Sequence, residues 1–262
     1  MTVPLLAARE ITVQFGGVRA LDAIDFTADE RAITGLVGPN GAGKTTLFGI
    51  LSGLLRPRSG NVVLDGTDIT RASPQRRTRL GLARTFQRLE LFGEMTVREH
   101  LVVAHRVRHR RDRQLLRDLV GLGSRPTPLE DEAVDSTLAL LGLDAVADQP
   151  VVLLPLGTAR IVEIARAIAT EPRIVLLDEP TSGLDVQETA QIADALRVAR
   201  DERGIAFVVV EHDVELVLEI SAEITVLDFG KVIAQGAPTA IRSSAAVQAA
   251  YLGTQASGVD AP

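Results

Sequence analysis

Ile33-Thr34-Gly35-Leu36-Val37 runs directly into Gly38-Pro39-Asn40-Gly41-Ala42-Gly43-Lys44-Thr45-Thr46, and Thr45 to Leu54 then carries helical spacing. The first five residues read as a buried strand, so strand, glycine loop and helix follow without a break. The loop fits G-x-x-x-x-G-K-[ST] at every fixed position. Its glycines let successive backbone N–H groups and the positive helix end face an anion. Lys44 then reaches β- and γ-phosphates, and the Thr45 hydroxyl holds Mg²⁺. The alternative is a plain glycine-rich turn. Lysine usage speaks against it: of 28 basic residues only Lys44 and Lys231 are lysines, leaving 26 arginines. A compact ammonium on a flexible stem stands where phosphates need a point charge.

Composition narrows the remaining classes. A chain of 262 residues holds one large domain or two small ones. Cys is absent, which excludes disulfides and thiolate metal sites and agrees with a reducing cytoplasm. No apolar run approaches the ~18 residues of a membrane span. Met1 to Glu10 lacks the basic start and apolar stretch of a signal peptide. A net charge of -6 argues against a nucleic-acid partner. The expectation is a soluble cytosolic protein that meets the membrane through partners. One segment opposes the overall charge: His105 to Arg117 holds six arginines and two histidines, with Asp112 its only acid. It reads either as a solvated helix face or as a patch for anionic lipid.

Leu5 to Phe15 and the region near Ile24 to Phe26 read as strands, and Asn61 to Gly66 as a strand ending in a turn. Glu94 to Ala169 is mainly helical, opening on the capping box Thr96-Val97-Arg98-Glu99. Gly121 to Pro128 reads as a loop and Leu129 to Leu141 as a helix. Then come strand (Arg173 to Leu177), helix (Val186 to Arg203), strand (Ile205 to Val210), helix (Val214 to Ile220) and strand (Ile224 to Phe229). That alternation implies a mostly parallel sheet covered on both faces, interrupted by a helical insert. Gln255 to Pro262 reads as a frayed tail.

Further chemistry lies at strand ends. Ile174 to Leu177 carries Asp178 to the C-terminal edge of the sheet, where open α/β sheets bind ligands. Asp178 is a candidate for Mg²⁺, and Glu179 for polarising the attacking water, since phosphoryl transfer demands a positioned nucleophile. His212 follows the strand Phe207 to Val210 and could bond the γ-phosphate or that water; a lone histidine there is otherwise structural. Gln87, a neutral amide after an apolar strand, could help ligate Mg²⁺. Phe15, one of seven Phe, is the candidate to stack on adenine, with core packing the alternative.

The phosphate loop, Gln87 in Arg-Thr-Phe-Gln, Leu176 to Pro180, Ser182-Gly183-Leu184-Asp185 and Glu211-His212-Asp213, in this order, resemble the nucleotide-binding subunits of ATP-binding cassette (ABC) transporters. The resemblance covers nearly the whole chain. It implies an α/β fold: a P-loop NTPase (RecA-like) core with a mostly parallel sheet, an N-terminal antiparallel β part and an inserted helical subdomain. One ABC ATPase domain would span 1–242, with core 1–87 and 167–242 and helical subdomain 88–166, before a C-terminal helix and tail over 243–262. Gly38 to Thr46 look like the Walker A loop and Leu176 to Glu179 like the Walker B strand. Gln87 resembles the Q-loop glutamine, Asp185 the D-loop aspartate and His212 the switch histidine. ATP and Mg²⁺ are the implied cofactors. The implied partners are a second ABC ATPase subunit in a head-to-tail heterodimer or homodimer, two membrane permease subunits and a substrate-binding protein. That arrangement places the chain at the cytoplasmic face of the cell membrane.

Arg84-Thr85-Phe86-Gln87, Leu91-Phe92, Glu94 to Val97 and Tyr251-Leu252-Gly253 look more narrowly like the ATPases of branched-chain or other hydrophobic amino-acid importers, some of which carry amides or urea. Other readings are the ATPase of a lipid or glycoconjugate exporter, a soluble cassette ATPase outside transport, and a regulatory nucleotide-binding module without turnover. The permease groove is expected near Gln87 to Phe92, with Leu89, Leu91 and Phe92 as anchors or as core. The chain departs from the family at the signature, usually Leu-Ser-Gly-Gly-Gln. Leu154-Pro155-Leu156-Gly157-Thr158 stands there, and Pro155 offers neither hydroxyl nor N–H. Pro155, Gly157 and Asp185 are the expected dimer-interface residues. The variant loop implies either unequal ATP sites or a loop that works through backbone contacts.

Overall fold

The structure is a computed structural model that describes residues 3–85, 89–109 and 126–256. Two sheets carry it. The first strands, β1 (Leu6–Phe15) and β2 (Val18–Ala28), form an antiparallel hairpin that joins β4 (Ser59–Leu64) and β5 (Thr67–Asp68) in the order β2-β1-β4-β5. The second sheet has the order β10-β9-β3-β8-β7-β6. Its strands are β3 (Ile33–Val37), β6 (Leu82–Arg84), β7 (Ile174–Asp178), β8 (Ala206–Val210), β9 (Glu223–Asp228) and β10 (Lys231–Gly236). All neighbours are parallel except the β10–β9 edge pair.

The central strands β3, β7 and β8 are buried at every position, as expected for a sheet covered on both faces. Helix α1 (Lys44–Ser52) is packed between the two sheets, where Leu47, Phe48, Ile50 and Leu51 meet Leu6, Phe26, Leu36 and Val208. It stops two residues short of the expected Leu54 because Gly53 adopts φ 83° and caps it by donating to the Ile50 carbonyl. Helix α2 (Pro74–Arg79) delivers Arg77, which is fully buried and donates to five carbonyls.

The helical part contains α3 (Val97–His109), α4 (Pro128–Leu140) and α5 (Leu156–Ile168), joined around Val97, Leu101, Val134, Leu138 and Val162. The Thr96/Glu99 capping box is formed in both directions. Pro128 begins α4 instead of ending the loop, because Thr127 and Glu130 build a second capping box and proline is tolerated in the first turn. Helices α6 (Val186–Arg203) and α7 (Val214–Ile220) cover the far sheet face, and α8 (Pro238–Arg242) and α9 (Ala245–Ala256) close the C-terminal side. The reading of a frayed tail is corrected for Gln255 and Ala256, which end α9. The rest of that tail, Gln87, and residues 110–125 lie outside the described residues. Among the described residues no helix is long and apolar enough to cross a membrane.

Candidate nucleotide site

Parallel register brings the C-terminal ends of β3, β7 and β8 into one row, with Asp178 opposite Val210 and Val210 opposite Leu36. The glycine loop, Asp178-Glu179 and Glu211-His212 therefore leave the sheet side by side. Two loop glycines are there for space as well as torsion. At Gly38 (φ 153°) a Cβ would lie 2.2 Å from the Leu227 carbonyl oxygen, and at Gly43 (φ 106°) 2.7 Å from Leu21. Lys44 is buried, and its Nζ donates to the Gly38 carbonyl at 2.6 Å and the Pro39 carbonyl at 3.1 Å. Burial pulls the ammonium below the ordinary lysine range while the carboxylates of Glu179 and Asp178 pull it back.

Asp178 ends β7 almost fully buried; that burial, with Glu179 beside it, raises its carboxyl above the usual range. Glu179 sits at φ 49°, a left-handed conformation that costs roughly 1–3 kcal/mol in a residue with a Cβ. Its N–H donates to the Val210 carbonyl at 2.8 Å and its carbonyl accepts from Ser182 N–H at 3.2 Å, so the surrounding backbone holds the strained turn. The side chain then meets His212, Nε2 to Oε1 at 2.7 Å. Glu211 organises this corner. Buried and raised by that burial, its carboxylate accepts from Thr181 N–H (2.9 Å), Thr181 Oγ1–H (2.7 Å) and His212 N–H (3.1 Å). It thereby ties the turn after Glu179 to the strand end that carries His212.

Of the residues expected to act together, Lys44, Asp178, Glu179 and His212 are brought together; Thr45 is exposed at the loop's end and Gln87 lies outside the described residues. Phe15 is 53% exposed at the end of β1, which removes the core-packing reading. Its hairpin reaches the loop through Gly230, which donates to the Ala42 carbonyl and accepts from Asp22 N–H. The Thr45 hydroxyl and Asp178 carboxylate are hard oxygen donors, the set that suits Mg²⁺ completed by phosphate oxygens and water. Among the described residues no cluster of three His, Asp or Glu forms a stand-alone metal cage.

Pro155 is the N-cap of α5 and makes no side-chain capping bond; Asp185 caps α6. Between them stands Glu188, a residue with no role in the sequence reading. One of its oxygens accepts from Asp185 N–H and the other from Gly157 N–H, both at 3.2 Å. Gly157 has no space for a side chain, since a Cβ would lie 2.7 Å from Glu188. The start of the arginine-rich segment is fastened to the protein itself: Arg106 forks onto Glu130 at 3.0 and 3.2 Å, and Arg108 donates to the Thr78 carbonyl at 2.7 Å. Leu89 and Leu91 pack on the helical core, whereas Phe92, 68% exposed, projects into a cavity of about 480 Å³. Leu54, Met95, Val103 and Arg166 also line that cavity.

A family model described as ABC transporter matches residues 21–182, and one described as branched-chain amino acid ATP-binding cassette transporter matches 231–257. The high-affinity branched-chain amino acid transport ATP-binding protein LivG of Salmonella typhimurium is 37% identical over 260 residues, covering 97% of this chain and 99% of its own. The high-affinity branched-chain amino acid transport ATP-binding protein BraF of Pseudomonas aeruginosa is 37% identical over 258 residues at the same coverage. Among solved structures, the ADP conformation of MJ1267, an ATP-binding cassette of an ABC transporter, superposes with a TM-score of 0.82 at 29% identity, covering 96% of this chain and 100% of its own.

Proposed function

We propose that this chain, which belongs to the ABC transporter family, is the ATP-hydrolysing subunit of an importer for branched-chain or other hydrophobic amino acids. The observation that carries the chemistry is the row of Lys44, Asp178, Glu179 and His212 at one sheet edge, with Glu179 held 2.7 Å from His212. Backbone N–H groups of Gly41 to Thr46 and the Lys44 ammonium take the β- and γ-phosphates. Glu179 orients a water and accepts its proton as the water oxygen bonds the γ-phosphorus and the bond to the β-phosphate oxygen breaks. His212 fixes the Glu179 carboxylate in that line. Thr45, Asp178 and Gln87 would hold Mg²⁺, which when bound would supply charge neutralisation at the phosphates. Phe15 supplies a face for adenine.

The chain works in a head-to-tail pair of ATPase subunits, with two permeases and a substrate-binding protein, at the cytoplasmic face of the membrane. Its own Walker residues await the partner's signature, and its own Pro155-Leu156-Gly157 loop completes the partner's site. That loop has neither hydroxyl nor N–H at 155, and Glu188 already occupies the Gly157 amide. Unequal sites in a heterodimer follow, one hydrolysing well and the other slowly. Restoring serine with Pro155→Ser therefore raises turnover of the assembled complex by up to about two-fold, as a second site joins the first. An unchanged rate means that the loop already works through its backbone.

The cavity at Phe92 receives the permease. His100 holds this wall: buried to 2% exposure, its Nδ1 donates to the Thr96 carbonyl and its Nε2 accepts from Phe92 N–H, both at 2.9 Å. That pair of bonds requires the neutral imidazole, and burial first, then Arg166, lowers its pKa accordingly. Phe92→Asp weakens permease co-purification by about 10-fold, as loss of an aromatic anchor does, while ATP affinity is retained. Full permease recovery with the aspartate variant places the docking surface elsewhere.

A further inference from the structure

We propose that Arg56, Arg58, Arg71 and Arg76 form a binding site for the phosphate groups of anionic lipid headgroups, set beside the cavity that takes the permease. This rests on the reading of the Phe92 cavity above and adds to it a contact with the lipid around the permease. The site is built by local pairing. Ile69 N–H donates to the Val62 carbonyl and Val62 N–H to the Thr70 hydroxyl, both at 2.8 Å, which lays residues 68–72 along β4. Behind them Arg77 turns inward and joins the Ile69, Thr70 and Ala72 carbonyls to the end of α1, shortly before Arg56. Arg71 and Arg76 are left exposed, as are Arg56 and Arg58. The four line a cavity of about 860 Å³.

Charge names the class of ligand. Four arginines face one acid, Asp68, across this cavity, in a chain whose net charge is -6. Asp68 is engaged by Thr70 N–H at 2.8 Å, and Arg58 donates to the Gln14 amide oxygen. Among the described residues none of the four arginines forms an ion pair. Guanidinium forks gathered without a counter-charge match phosphate oxygens. Among the described residues the lining has no aromatic ring on which a base would stack, which favours a headgroup over a nucleotide. Position names the source. Gln75, Thr78 and Arg79 of α2 line the Phe92 cavity while Arg76 lines this one, and Leu54 and Arg56 divide in the same way. The surface given to the permease therefore continues into the basic cavity, where an anionic leaflet presents its phosphates. At physiological salt, charge more than ~8 Å away is largely screened, so the acidic remainder of the chain does not cancel a contact made here.

The full chain, without permease, is sedimented at about 0.1 M salt with vesicles of phosphatidylcholine and with vesicles of equimolar phosphatidylcholine and phosphatidylglycerol. The expected result is binding to the phosphatidylglycerol vesicles alone, weakened as salt is raised. Arg56→Gln, Arg71→Gln and Arg76→Gln combined weaken it on the order of 100-fold, about five-fold per arginine, with Mg-ATP affinity and melting temperature kept. Arg31→Gln, Arg203→Gln and Arg242→Gln combined remove the same charge from exposed positions elsewhere and leave vesicle binding unchanged. Equal loss in both triple variants reduces the effect to net charge and overturns the inference. So does wild-type binding to neither vesicle or to both alike, or binding that survives the first triple substitution in full. Inositol hexakisphosphate bound through these arginines while vesicles are not identifies a soluble-anion site and also overturns the lipid assignment. Failure of the permease reading shows separately, as full permease recovery with Phe92→Asp.

Discussion

Glu179→Gln lowers steady-state phosphate release by on the order of 10²–10³-fold while leaving ATP affinity within about two-fold of wild type. The amide keeps the length and the oxygen that face His212 Nε2 at 2.7 Å, so the corner built by Glu211, Thr181 and Val210 stays in place. What disappears is the negative charge that orients a water and receives its proton. In the proposed function the phosphates are held by other groups, Lys44 and the loop amides, so affinity and rate separate. Phosphate release and calorimetric binding on the same preparation give both numbers. A rate within two-fold of wild type takes Glu179 out of the chemistry and moves water activation to another group.

Arg77→Leu costs about 3–5 kcal/mol of folding stability, the largest single loss expected from a residue that touches no nucleotide. The guanidinium is fully buried, and burial lowers its pKa to about 10. Its donors reach the carbonyls of Ile50 (2.7 Å), Leu51 (2.6 Å), Ile69 (2.8 Å), Thr70 (3.2 Å) and Ala72 (3.2 Å). Ile50 and Leu51 are in the last turn of α1, where carbonyls lack i+4 helical partners and favour a cation, Ile50 keeping only the capping bond from Gly53 N–H. Leucine leaves all five carbonyls without this donor and closes no alternative bonds. For a domain of this size the melting temperature falls by roughly 10 °C, read by calorimetry or circular dichroism. Arg77→Lys recovers part of the loss, because one ammonium satisfies fewer carbonyls than a planar fork. The exposed neighbour substituted as Arg76→Leu stays within about 0.5 kcal/mol of wild type. An Arg77→Leu protein as stable as that control contradicts the assignment.

The parts legible in the sequence are those whose signal is local. Strand β3, the glycine loop and helix α1 share one continuous register, and α6 and α7 begin at aspartate caps, Asp185 and Asp213, followed by helical spacing. Short or irregular elements escaped. Helix α8 has five residues, and β10 is a partly exposed edge without clean alternation. β2 read as a fragment because Ala23 takes φ 50°, where the β1–β2 register shifts and the alternation of faces is broken. At the site, the residues proposed to meet phosphate stand in spaced motifs, whereas their supports do not. Glu211 reaches Thr181, 30 positions away, and Glu188 reaches Gly157, 31 away. Arg77 looks like any other member of the run Arg76 to Arg79, since burial of a charge has no periodicity to betray it.

Transport by the assembled complex tests the importer function most directly. A tag on this chain is used to purify whatever accompanies it from its native membranes, and the preparation is placed in liposomes with ATP at the side of the ATPase. The predicted result is co-purification of a second ATPase and two permeases, with ATP-dependent movement of labelled leucine that Glu179→Gln abolishes. ATP hydrolysis by a preparation that contains no permease, or that moves no branched-chain or other hydrophobic amino acid, contradicts it.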